Sequence, residues 1–449
     1  MRWLIYFVVG FILAFALVSI INQSNVEEEI IFSDLGDVEF VDVTRNVGIN
    51  YIQSTRKYKI DGQAYLRGDL QGLFSGGADV SDYDNDGDLD LYVTRLDGED
   101  ILYRNDEGNF VDVTDDVGLN LMINSNKARW VDVDSDGFDD LFVSVVGEKR
   151  NYLFMNYDGK FVEEGFIRGL SESEDLLYGF GIAIGDYDGD GWQDIMTSNW
   201  DRMTIREGKK DEYGRLYHNL GDGYFEDVTE EMGVRMITQD GYGDVSFDSE
   251  FADVNDDGFL DLLVAADFGN SRLYINNGEK FVDMTEKYGV GLDEFGMGIT
   301  VGDYDKDGFE DFFITSIYCQ DSDCMDGMSG NKLYHNLDGN FELSGLDVAD
   351  GDWGWETEFF DYDLDGDLDL IMVMGMKEKI MGEHDFTSNA VKLWRNDGEK
   401  FVDVTSNLGL DIEGEGRDVV VFDYDNDEDL DLFIVRNGEN GVLFENKLL

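Results

Sequence analysis

Along residues 77–449, apolar residues come in short runs separated by stretches rich in Asp, Gly and Asn. In one such stretch the runs read GIAIGD, DIMTS, RLYHN and YFEDVT. Each is too short for a helix and carries β-branched or aromatic residues, so each predicts a β-strand. Four runs per repeat predict four-stranded antiparallel sheets. A different pattern stands at the N-terminus. Residues 3–21, WLIYFVVGFILAFALVSII, contain only Ser19 as a clearly polar residue. As one hydrophobic helix this run would be about 28 Å long, close to the hydrocarbon thickness of a bilayer.

Three motifs keep the period of the repeat. The first, D-x-D-x-D-G-x-x-D, begins at Asp82, Asp132, Asp186, Asp253, Asp303, Asp361 and Asp423, at spacings of 50, 54, 67, 50, 58 and 62 residues. The second, L-[YFW]-x-N, begins at Leu102, Leu153, Leu216, Leu273, Leu333, Leu393 and Leu443. The third, F-[VE]-[DE] or a close variant, begins at Phe40, Phe110, Phe161, Phe225, Phe281, Phe341 and Phe401. It therefore occurs once before the first Asp motif and is missing after the last L-[YFW]-x-N. A linear array has no use for this offset. A closed one does, because the N-terminal EFVDVT then completes the last sheet and removes its open edge. The expected fold is all-β: a seven-bladed β-propeller of four-stranded blades, closed by the N-terminal strand on the C-terminal blade. The expected organisation is a signal anchor or signal peptide over 1–22, an acidic linker over 23–36, and the propeller over 37–449.

The Asp motif crowds carboxylates that would repel one another if left unpaired. A hard divalent cation reverses that energy, and calcium takes six to eight oxygens at about 2.3–2.6 Å. The expected ligands are motif positions one, three, five and nine. They are Asp82, Asp84, Asp86 and Asp90; Asp132, Asp134, Asp136 and Asp140; Asp186, Asp188, Asp190 and Asp194; Asp253, Asn255, Asp257 and Asp261; Asp303, Asp305, Asp307 and Asp311; Asp361, Asp363, Asp365 and Asp369; and Asp423, Asp425, Asp427 and Asp431. Position nine, at the start of a strand, is expected to be the bidentate ligand. Up to seven Ca²⁺ are expected, filling independently because the loops belong to separate blades. The fourth site is expected to be weak because Asn255 removes a charge, and the seventh because Glu428 replaces the glycine. An EF-hand is excluded: position twelve is Val93, Val143, Thr197, Val264, Ile314, Met372 or Ile434, never acidic.

Stretches such as YGFGIAIGDYDGDGWQDI and RLYHNLGDGYFEDVTEEMGV resemble the FG-GAP, or VCBS, repeats of integrin α-subunit propellers, of cartilage acidic protein and of bacterial proteins. The resemblance covers about residues 37–449. It implies a propeller with Ca²⁺ in the loop between the first two strands of each blade. The C-terminal ASPIC/UnbV region found in some of these proteins has no counterpart in this sequence.

The charge narrows the partners. Asp plus Glu number 100 and Lys plus Arg 33, for a formal net charge of −67. Such a surface repels nucleic-acid phosphates and anionic headgroups. Cys319 and Cys324, the two cysteines, stand five residues apart and are expected to form a local disulfide, with free thiols as the alternative. The N-terminal run is read either as an uncleaved anchor or as a signal peptide cleaved after Ala14-Phe15-Ala16. Both readings place residues 30–449 outside the cytoplasmic membrane, where a disulfide is stable.

Strand parity puts the Asp loops on one face. The long insertions 45–76, 198–214, 316–332 and 374–391 fall on the other, where binding is expected. No catalytic motif is found. His218 and His335 occupy one repeat position and are read as structural or surface residues, and His384 lies in an insertion. Trp200, Trp353 and Trp355 near the insertion face are candidates for stacking on sugars. The expected function is that of an extracytoplasmic, membrane-anchored calcium-binding module for adhesion or scaffolding, with a protein or glycan ligand. The alternative is a carbohydrate-active enzyme or lectin.

Overall fold

The structure, a computed structural model, describes residues 38–53, 69–96, 98–174, 176–201, 213–238, 243–319, 328–377, 386 and 389–448. The expected anchor and linker, Cys324, His384 and the middles of the four insertions lie outside the described residues. Cys319 is buried and is not a free thiol. Among the described residues no helix is long and apolar enough to cross a membrane.

Glu39–Leu448 forms one compact body. Its described strands make five four-stranded antiparallel sheets and one eight-stranded sheet. The latter is two four-strand meanders joined where Leu177–Gly185 pairs with Asp140–Glu148. Meander one runs Ala78–Ser81, Asp90–Val93, Ile101–Asn105 and Phe110–Asp112, and the others repeat this order. In every meander the Asp motif joins the first strand to the second, L-[YFW]-x-N lies in the third, and the F-motif forms the fourth. Meander seven has Gly416–Phe422, Asp431–Arg436 and Val442–Asn446, and its fourth strand is Phe40–Asp42. Phe40 pairs with Asn446 and Asp42 with Phe444. The N-terminal strand therefore closes the last sheet, as the offset of the F-motif predicts.

The core lies between neighbouring sheets. One cluster joins Leu91, Val93 and Tyr103 of meander one to Phe422, Phe433 and Val435 of meander seven. Another joins Tyr92 and Leu102 of meander one to Leu141, Val143 and Phe154 of meander two. The first strands of successive meanders touch in order, and the first strand of meander seven touches that of meander one.

Where these first strands meet, the side chains are charged. The Lys127 ammonium contacts the Glu356 carboxylate and lies 2.6 Å from Asp418 Oδ1, joining meanders two, six and seven. All three side chains are buried. Phe74 ends the short helix Asp69–Phe74 and packs on Phe180, Trp200, Phe247 and Trp355. The Leu73 carbonyl beside it accepts bonds from Arg417 Nε and Asn437 Nδ2.

Candidate metal centre

The Asp motif folds into the same loop in every meander. Position four has positive φ in each, from 55° at Asp256 to 75° at Gly189. Position six does too, and there a glycine is the natural residue. At Gly87, Gly137, Gly191, Gly258 and Gly308 an added Cβ would meet nothing within 4 Å. The requirement is for the backbone angle, not for space. Glu428 occupies this position in loop seven at φ 76° and carries the strain that glycine avoids.

Backbone amides fix the carboxylates. The position-one Oδ1 accepts the position-five N–H at 2.8–3.2 Å in all seven loops. Its Oδ2 accepts the position-six N–H at 2.7–3.0 Å. The position-five Oδ1 accepts the position-seven N–H at 2.9–3.2 Å. Position three is different. Asp84, Asp134, Asn255, Asp363 and Asp425 each hold a buried Oδ1 with no hydrogen-bond partner. In loops three and five that oxygen accepts the position-five N–H at 3.2 Å. These are the two loops approached by a histidine. His218 Nδ1 lies 3.1 Å from Asp194 Oδ1, and His335 Nε2 lies 2.8 Å from Asp305 Oδ2.

Position nine is buried in every loop. Burial pushes the carboxyls of Asp90, Asp140, Asp369 and Asp431 up to about 8 and those of Asp261 and Asp311 to about 7, against opposing backbone hydrogen bonds. Burial, then the neighbouring carboxylates, raises Asp84 and Asp425 above the ordinary range. The loop as built favours an added positive charge. In loop one, oxygens of Asp82, Asp84 and Asp86 lie within 4.8 Å of one another, and loops two and three hold equivalent triads. A hard oxygen donor set, preformed by backbone bonds and holding an oxygen without a donor, fits calcium.

The asparagine of L-[YFW]-x-N is the residue that sequence reasoning missed. Its backbone N–H donates to the position-nine Oδ1 of its own meander at 2.7–2.8 Å. Its Nδ2 donates to the position-two carbonyl of the preceding meander's loop at 2.7–2.9 Å. Asn105 of meander one reaches Tyr424 of meander seven in this way. The signal was in the sequence: the asparagine is the same in all seven copies, while the residue before it changes freely.

The sugar-stacking candidates are not exposed. Trp200, Trp353 and Trp355 are buried, and Trp200 Nε1 donates to Asp267. On the face away from the Asp loops, a cavity of about 370 Å³ is lined by Arg45, Ile49, Asn50, Arg436 and Asn440, among others.

A model of the FG-GAP-like repeat matches residues 82–143, 132–197 and 253–314. The chain carries FG-GAP-like repeats. The matched stretches begin at the first, second and fourth Asp loops and end within the second strands of meanders two, three and five. No curated protein sequence matches the chain. Among solved structures, an Agrocybe aegerita lectin that recognises non-reducing terminal N-acetylglucosamine is similar at 17% identity and TM-score 0.45, covering 73% of this chain and 79% of the lectin. BBS1N in complex with ARL6DN is similar at 9% identity and TM-score 0.49, covering 83% and 92% of the respective chains.

Proposed function

We propose that the protein is a calcium-stabilised, seven-bladed β-propeller held outside the cytoplasmic membrane by its N-terminal segment, and that it serves as a binding or scaffold module for a protein or glycan ligand. The unpartnered position-three oxygens within preformed carboxylate loops carry this reading. Seven blades and a closed ring are supported by the order of first-strand contacts and by the strand Phe40–Asp42 in the last sheet.

Positions one, three, five and nine would hold the cation. Calcium, when bound, supplies the charge that cancels carboxylate repulsion. The chain's own residues do the rest. Position one is locked by two backbone amides and position five by one. Position nine, buried at the start of the second strand, ties the loop to the sheet. Outside loop three, where His218 also reaches Asp194 Oδ1, and loop four, where the Asn255 side-chain amide reaches Asp261 Oδ2, each of its oxygens accepts one N–H, which leaves a lone pair on each for a metal.

The ligand face is the one opposite the loops. Arg436 ends the second strand of meander seven, and Arg45 follows its fourth strand, so both stand at the far end from Asp431. Asp42 lines the same cavity and Arg436 is paired with Glu439 at 3.1 Å, so Arg45 is the guanidinium offered to a polar or acidic group of the ligand.

Equilibrium dialysis against calcium, and glycan and protein arrays with and without calcium, test the proposal. The expected result is several calcium ions per chain, with array binding weakened by Arg45→Glu and not by Glu428→Gly. No calcium bound at millimolar concentration would remove the metal reading. Turnover of an array hit would replace the binding module with an enzyme.

A further inference from the structure

The loops belong to separate blades, and the sequence gives no reason for one to affect another. The hydrogen bonds do. From Asp140, the path runs through Oδ2 to the Val133 N–H at 3.1 Å. It leaves by the Val133 carbonyl, which accepts Asn219 Nδ2 at 2.9 Å. The Asn219 N–H then donates to Asp194 Oδ1 at 2.8 Å. Two position-nine carboxylates are thus joined by one loop residue and one asparagine. The same three bonds recur from meander to meander, and the link from Asp431 through Tyr424 and Asn105 to Asp90 closes the circuit. One step differs. In loop four, Asp261 Oδ2 accepts the Asn255 side-chain amide at 3.2 Å.

The packing follows the bonds. Gly108, Gly159 and Gly339, in the turns after these third strands, lie so close to the preceding loop that an added Cβ would stand 3.4–3.5 Å from the Cβ of Asp425, Asp84 and Asn255. These are the position-three residues of those loops.

We propose that the seven asparagines are positioning residues that couple calcium binding in each loop to its neighbours, so that the sites fill cooperatively. The proposal rests on the calcium reading above. A cation that draws the position-nine carboxylate into its shell fixes the asparagine whose N–H that carboxylate accepts. The fixed asparagine holds the carbonyl of the preceding loop, and with it the position-two N–H that orders the next carboxylate. Ordering already supplied by one ion need not be supplied again by the next. Coupling is strongest between adjacent loops and weakest through loop four, where the Asn255 side-chain amide shares the Asp261 carboxylate with the Val254 N–H.

Trp192, at position seven of loop three, provides a local reporter. Terbium(III) in that loop is sensitised by excitation of this tryptophan, and calcium competes it away. Asn276 bonds loop three through Nδ2 and loop four through its N–H. The expected result is a parent with a Hill coefficient above 1. Asn276→Ala and Asp261→Asn should each raise the loop-three terbium midpoint about tenfold, with Asn396→Ala shifting it less. Asp261→Asn keeps the size of the side chain while giving up one of the two acceptor oxygens, and serves if Asn276→Ala does not fold. If the parent binds no terbium or calcium, the calcium reading fails. If it binds with a Hill coefficient of 1, or if neither variant moves the loop-three midpoint, the coupling is refuted while the calcium sites stand.

Discussion

Replacing Lys127 by Met removes one charge from the meeting point of three meanders and keeps the apolar stem. Lys127 and Glu356 are each 8% exposed and Asp418 is 1% exposed, so water does little to replace the ammonium. Burial alone would raise the Glu356 carboxyl, but Lys127 and then Arg129 hold it below its ordinary value. Without Lys127, a buried carboxylate faces Asp418, and the cheapest relief is to take up a proton. Holding a proton at pH 7.5 on a group that ionises near 4.3 in the unfolded chain costs about 4 kcal/mol. At pH 5.5 the same step costs about 1.6 kcal/mol. Arg129 remains and offsets part of this. Lys127→Met should therefore destabilise by roughly 3–4 kcal/mol at pH 7.5 and about 1–2 kcal/mol at pH 5.5, in line with the usual cost of breaking a buried pair. Urea denaturation of parent and variant in saturating calcium at both pH values measures this. A loss below about 1 kcal/mol at pH 7.5, or an equal loss at both, would refute the reasoning.

Excess EGTA should lower the melting temperature of the parent markedly, because a ligand of the folded state alone stabilises it by mass action; an unchanged melt with metal shown to be absent contradicts this. Deleting residues 37–46 removes the strand paired with Val442–Asn446 and should give aggregates or swapped dimers, read by light scattering. Glu428→Gly should stabilise the calcium-free protein by about 0.5–1 kcal/mol, since relief of left-handed strain exceeds the entropy that glycine adds to the unfolded chain. Burial raises the carboxyls of Asp100 and Asp293 to about 7. The folded state thus holds protons that the unfolded chain has released between about pH 4 and 7. Stability in chelator should rise as pH falls from 8 to 5 and level off below about 4, as followed by urea titration.

Much of the fold was legible because the repeat sampled it seven times. The F-motif marked the fourth strand of every meander, and its offset marked the closure, because both depend on local strand patterning. The recurring carboxylates of the loops were legible for the same reason. What was hidden depends on residues far apart in sequence. Asn105 and Tyr424 are joined across 319 residues, and no periodicity within one repeat says where a side-chain amide goes. Lys127 and Glu356 lie 229 residues apart. The signal for their pairing was only a charge inside an apolar strand, SNKARWV or GWETEFF, and not the identity of its partner. The three tryptophans misled for a related reason. Nothing in the sequence says that Phe74, from the first insertion, will cover Trp200 and Trp355.

The pairing of Phe40–Asp42 with Val442–Asn446 also sets a clock. The strand Phe40–Asp42 has its partner made some 400 residues later. At about 5–20 residues per second, the ribosome takes roughly 20–80 s to deliver that partner. Throughout that interval the earlier sheets can form while the first strand waits unpaired. The last sheet is completed only once Val442–Asn446 has emerged, and a chain delayed before that offers a bare strand and a bare edge to its neighbours. For such a molecule the yield of native protein depends on how crowded the nascent chains are before that partner emerges.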